Sequence, residues 1–262
     1  MLRSFTTSEE NDDERVFTGL SKATNVENLK KWLKNGESVD NVFTKLQLGK
    51  GLHAVANPNI KYLDDYVTMF NNKNPKNQVL LVDMLSSRYG DGAVATALMA
   101  ASSKPQTHVI ADKLLLERFL IWMFQGNSAA DVAKKLKIGA EGSNFVSNTK
   151  VLTLTEYMNF ISAFNPRGQL NYAAILRHSF GNDNNLATAV MKAAKTGSDD
   201  ALYFQKLLFK DWYSRKIEPS KVPKTIFDTT KPSRDQKSVI AEYTTYHKTK
   251  LAKSKLKAEA NS

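Results

Sequence analysis

Three tryptophans, Trp32, Trp122 and Trp212, stand at an equal interval of 90 residues, and related sequence follows the first two. Trp32 opens WLKNGESVDNVFTKLQLG and Trp122 opens WMFQGNSAADVAKKLKIG, so Gly36/Gly126, Ser38/Ser128, Val42/Val132, Leu46/Leu136 and Gly49/Gly139 recur at matched offsets. Such a chain folds as serial copies of one module, each with a small core of its own. The third copy, WYSRKIEPSKVPKTIFD, keeps aliphatic residues at Val222 and Ile226 but loses both glycines and gains Pro219 and Pro223. It reads as a divergent end unit, since the terminal repeats of arrays are atypical.

The module is helical. Val26, Leu29, Trp32 and Leu33 form one apolar stripe at helical spacing. Gly36 and Gly126 stop a helix, and Ser38 and Ser128 are placed to cap the next, with Asp40 and Asp131 in its first turn. Downstream, the block from Tyr66 to Pro75 matches the block from Tyr157 to Pro166, and small-residue helices follow near Leu85 and Leu176. ADKLLLERFLIW and ALYFQKLLFKDW then run into Trp122 and Trp212, making Leu114 equivalent to Phe204, and Leu29 to Phe119 and Phe209. Strand signals are weak throughout, so the sequence predicts an all-α fold of tandem helical-bundle modules in an elongated array. Equal spacing with aliphatic neighbours makes the repeated Trp and Tyr core anchors rather than exposed stacking platforms.

The formal charge of +11 is unevenly spread: the first 17 residues hold five acids against two Arg, and residues 229 to 262 hold eight Lys or Arg against three acids. The acidic start reads as a disordered leader. The basic end reads as a long helix with Val239, Tyr243, Tyr246 and Leu251 on one side. In the body, basic and acidic residues alternate as solvated helix faces do. With no cysteine there is neither a disulfide framework nor a thiol nucleophile, and no apolar run approaches the roughly 20 residues that span a bilayer. Phosphate-loop, dinucleotide, zincin and nucleophile-elbow motifs are missing, and His53, His108, His178 and His247 are scattered. No catalytic, metal or cofactor site is expected. DDALYFQKL loosely fits an aromatic-x-x-aliphatic autophagy-receptor motif from Phe204 to Leu207, but the helix leading to Trp212 accounts for the same residues.

These features together resemble the RXLR effectors of plant-pathogenic oomycetes, with a WY module followed by modules of the LWY type. Leu2 and Arg3 match the second half of the Arg-x-Leu-Arg element, whose first Arg is absent, and Asp13, Glu14 and Arg15 match the acidic element that follows it. Trp32 and Tyr66, with Leu29, supply the first module, and Leu114, Phe119, Trp122 and Tyr157 the second. Phe209 and Trp212 begin a third for which no clear Tyr block follows, unless Tyr243 or Tyr246 serves. The expected organisation is a leader over 1–20, a WY module over 21–103, an LWY-type module over 104–198, a partial third module over 199–232 and a basic helix over 233–262. The resemblance implies secretion by a pathogen, entry into the cytoplasm or nucleus of plant cells, and suppression of immunity by binding host proteins without catalysis. Some tandem members recruit the host protein phosphatase 2A core enzyme, and others suppress RNA silencing.

With Trp and Tyr committed to packing, partner specificity is expected on exposed residues that differ between copies, around 102 to 145, with Lys134 and Lys137 as candidate contacts. The alternative is a protein that binds nucleic acid or an RNA-silencing complex through its basic surface.

Overall fold

The computed structural model describes residues 26–165 and 170–259, and every regular element among them is helical. The described residues divide into two compact units, with the boundary between Arg118 and Phe119. The first holds α1 (Val26–Lys34), α2 (Val39–Lys45), a 3-10 turn (Gly51–Ala56), α3 (Ile60–Lys73), α4 (Leu81–Tyr89), α5 (Asp91–Ser102) and the start of α6 (His108–Phe124). Its core is Leu29, Val42, Ile60, Leu63, Tyr66, Val82, Leu85, Leu98 and Leu114, each wholly buried.

The second unit repeats this order. After the end of α6 come α7 (Ala129–Lys135), a 3-10 stretch (Ile138–Ser147), α8 (Thr149–Phe164), α9 (Tyr172–Phe180) and α10 (Asp183–Ala194). It continues through α11 (Asp199–Ser214), a short 3-10 turn (Pro219–Lys221), α12 (Val222–Thr225) and α13 (Arg234–Glu259). Helix starts follow the expected chemistry: Ser38 accepts from the Asn41 amide, and Ser128 and Asp131 form a reciprocal capping box.

The boundary between units falls inside α6, whereas the repeat predicts a module edge at 103/104. The reason lies in the first half of α6, which is tied to the preceding module. Lys113 bonds Asp64 at 2.6 Å, and Arg118 bonds the Val82 carbonyl at 2.9 Å and Asp83 at 2.7 Å. Helix α6 therefore starts among the core residues of the first unit, at Leu114, and ends among those of the second, at Trp122. Likewise Phe204, near the start of α11, packs on Phe145 and Tyr172 of the preceding module.

Candidate functional surfaces

Each tryptophan helix ends in the same clasp. Four residues past the Trp, the chain turns left-handed at Gly36 (φ 73°), Gly126 (φ 74°) and Lys216 (φ 57°). The next residue returns its amide to the Trp carbonyl: Glu37 to Trp32 at 3.1 Å, Asn127 to Trp122 at 2.9 Å and Ile217 to Trp212 at 3.0 Å. These are Schellman closures, which satisfy carbonyls that the helix end leaves open. The carbonyl of that same residue then accepts a tyrosine hydroxyl: Glu37 from Tyr66 at 2.6 Å, Asn127 from Tyr157 at 2.7 Å and Ile217 from Tyr243 at 2.7 Å. In the second and third copies the Tyr ring also meets the indole edge-on, at 5.6 Å for Trp122–Tyr157 and 5.2 Å for Trp212–Tyr243. Burial raises the hydroxyl pKa of Tyr66, Tyr157 and Tyr243, the latter two to about 12.

Tyr243 is the third tyrosine. Helix α13 carries it against Trp212 and Phe209, so residues 234–247 complete the third module instead of forming a separate tail. Spacing concealed this: Tyr243 follows its Trp by 31 residues, against 34 and 35 in the first two copies. The short turns at Pro219 and Val222 replace a longer helix and 3-10 stretch. Tyr246 flanks the same cluster, whereas Leu251 is exposed.

Of the residues expected in the core, Leu29, Tyr66, Leu114, Phe119, Trp122, Tyr157, Phe209 and Trp212 are all buried. Trp32 differs, being only half-buried with the Lys45 ammonium 6.0 Å from its ring centre. Leu2, Arg3, Asp13, Glu14 and Arg15 lie outside the described residues. Lys134, in the last turn of α7, and Lys137, which leaves that helix left-handed at φ 55°, are both exposed. Phe204 is buried within α11, which removes the aromatic anchor from the autophagy-type motif.

Two ionic clusters, each built on one buried charge, escaped the sequence because their members look like ordinary surface charges. Arg118, whose side chain is 3% exposed, is held by Asp83 at 2.7 Å and Asp91 at 3.1 Å. Asp211, also 3% exposed, takes Arg177 and Arg215, each at 3.1 Å, while Asp183 grips Arg215 with both oxygens. The hydrogen bonds that Arg215 donates to Asp183 are the main reason its pKa is raised. A leading helix thus contributes the cation to one cluster and the anion to the other. Among the described residues no group of three His, Asp or Glu is placed to hold a metal ion, and no helix is long and apolar enough to cross a membrane.

No protein-family model matches the chain. It is 31% identical over 239 residues to an RxLR effector protein of Phytophthora infestans (strain T30-4), a match covering 86% of this chain and 33% of the relative. It is 27% identical over 196 residues to the RxLR effector protein PSR2 of Phytophthora sojae, covering 74% of this chain and 29% of that protein. The chain thus spans about a third of the length of these curated relatives. The crystal structure of PcRxLR12 shares the fold, with a TM-score of 0.71 at 21% identity over 90% of this chain and 61% of that one.

Proposed function

This chain is a homologue of the RxLR effectors of Phytophthora, and from that premise we propose that it is part of a secreted effector that works inside plant cells, in the cytoplasm or nucleus. It suppresses or redirects host immunity as a non-catalytic scaffold that binds host proteins. One observation supports the scaffold reading above others: Tyr66, Trp122, Tyr157, Trp212 and Tyr243, the strongest binding residues a surface can offer, are 0–1% exposed. Their repetition builds the frame, and what differs between copies is outside. Lys134 and Lys137 replace Thr44 and Gln47 of the first copy and are contacts in this proposal. The host phosphatase 2A core enzyme is one partner to look for.

The test is affinity capture from plant tissue with identification by mass spectrometry, comparing the parent chain with the Lys134→Glu, Lys137→Glu double variant. A specific host protein retained by the parent and lost by the variant, at unchanged melting temperature, is the expected result. Capture that survives both charge reversals removes these lysines from the interface. No host protein captured under any condition counts against the scaffold reading itself.

A further inference from the structure

We infer that an apolar groove in the second unit docks a peptide segment of a partner protein, taking one aliphatic or aromatic side chain beside a Lys or Arg. The inference rests on the protein-binding reading above and specifies the chemistry of one contact. The groove is formed where α8 begins, α9 begins and α11 begins, with Val151, Leu152, Thr155, Tyr172, Tyr203 and Phe204 among its walls and a volume of about 240 Å³. Val151 and Phe204 are its buried floor, whereas Leu152 and Tyr203 stand on the rim at 58% and 54% exposure. Its main interior polar group is already satisfied, since the Tyr172 hydroxyl lies 3.0 Å from Thr155 Oγ1. What remains to be offered is apolar contact. Small-molecule pockets usually run from about 300 to 1,000 Å³, so the groove suits a single anchoring side chain of a larger partner.

The equivalent place in the first unit carries charge where the second has apolar and hydroxyl groups. There Asp64 stands for Thr155 and Lys113 for Tyr203, and the two are joined by a 2.6 Å ion pair, while Lys61 stands for Leu152. The apolar lining is therefore a property of the second copy and not a requirement of the fold. Its surroundings choose the sign of the partner. Asp200 lines the groove, and Asp199, a residue earlier, and Glu156, one turn beyond Leu152, are exposed. Lys206 lies one turn past Tyr203, leaving acid in excess on a chain whose formal charge is +11. A basic residue next to the apolar anchor meets that acid, and an acidic one is repelled.

A phage-displayed random peptide library selected against the full chain tests this, with the recovered peptides measured by fluorescence anisotropy. The expected peptides share a large apolar residue within a turn of Lys or Arg. Their affinity should fall at least about tenfold, or about 1.4 kcal/mol, in the Thr155→Asp, Tyr203→Lys variant, which installs the first unit's own ion pair. If that variant misfolds, Asp200→Lys, at an exposed position, decides by the same loss. Recovery of no peptide, of acidic peptides, or of peptides that bind Asp200→Lys as well as the parent overturns the proposal. Failure here alongside host capture that depends on Lys134 and Lys137 leaves the effector reading standing. Peptide binding as expected with no host capture undermines that reading alone.

Discussion

The tyrosine hydroxyl joins two things that a sequence shows separately, an aromatic core and a helix stop. In Tyr157→Phe the ring still packs on Trp122, but the Asn127 carbonyl loses its donor, so the expected cost is about 1–3 kcal/mol, read by denaturant unfolding. Trp122→Ala removes the wholly buried ring itself and should cost about 3–5 kcal/mol. Trp32→Ala should cost clearly less, because Trp32 is only partly buried; equal losses would contradict the exposure difference. The same hydroxyls make stability depend on alkaline pH. For Tyr157 and Tyr243 the folded pKa of about 12 lies above the ordinary value of 10.0, so the folded state keeps protons that the unfolded state releases. The stabilisation is complete below about pH 10 and is lost as the pH rises toward 12. Phenolate absorbance should therefore show a late-titrating group of tyrosines that disappears in denaturant, and a single ordinary titration in the native protein would refute it. The Trp and Tyr partners of the first two copies were legible because packing repeats at helical spacing, whereas the shorter interval from Trp212 hid Tyr243. The acceptor carbonyl was not legible, because any residue can supply it.

At the scale of elements, matched glycines prove to be there for different physical reasons. Gly49 has φ 85° and open space where a Cβ would go, so it serves backbone conformation. Gly139 lacks that left-handed backbone, and its Cβ would fall 2.2 Å from the Ser179 carbonyl oxygen. It is small because the 3-10 stretch from Ile138 lies directly on α9, where the Gly139 amide also donates to Ser179 Oγ at 3.2 Å. Gly49→Ala should cost about 1–2 kcal/mol of left-handed strain. Gly139→Ala should cost about 3 kcal/mol and should speed amide exchange in both the 3-10 stretch and α9. Equal effects of the two substitutions would mean that the close approach relaxes freely. The sequence alone aligned these glycines as one device, because a contact with a residue 40 positions away leaves no local trace. The clusters around buried Arg118 and Asp211 are hidden in the same way: each residue stands directly beside an opposite charge, Glu117 or Lys210, and only helix packing reveals which of the two faces inward.

For the molecule as a whole, the third module decides how its basic end can be removed. With a module edge at 232/233, residues 233 to 262 would be a separate basic helix whose deletion leaves the modules entire. The structure argues otherwise, because that deletion takes away buried Val239 and Tyr243, and with them the hydroxyl on Ile217 and the ring against Trp212. Deletion from 248 onward is the informative cut. It removes five Lys and one Glu, lowering the formal charge from +11 to +7. None of the residues it removes belongs to the buried core among those described. The shorter deletion should leave the melting temperature within a degree or two of the parent, while the longer one lowers it sharply. The pair also separates protein binding from binding to nucleic acid. If host proteins are held by exposed residues of the modules, capture survives loss of 248 to 262 and weakens only modestly with salt. If phosphate contacts dominate, binding falls with a log-log salt slope near −0.9 per contact, and the deletion reduces that slope by the number of lysines that made contact. Capture that disappears with the shorter deletion, at unchanged stability, would place the binding element on the end of α13 and favour the basic surface over the module scaffold.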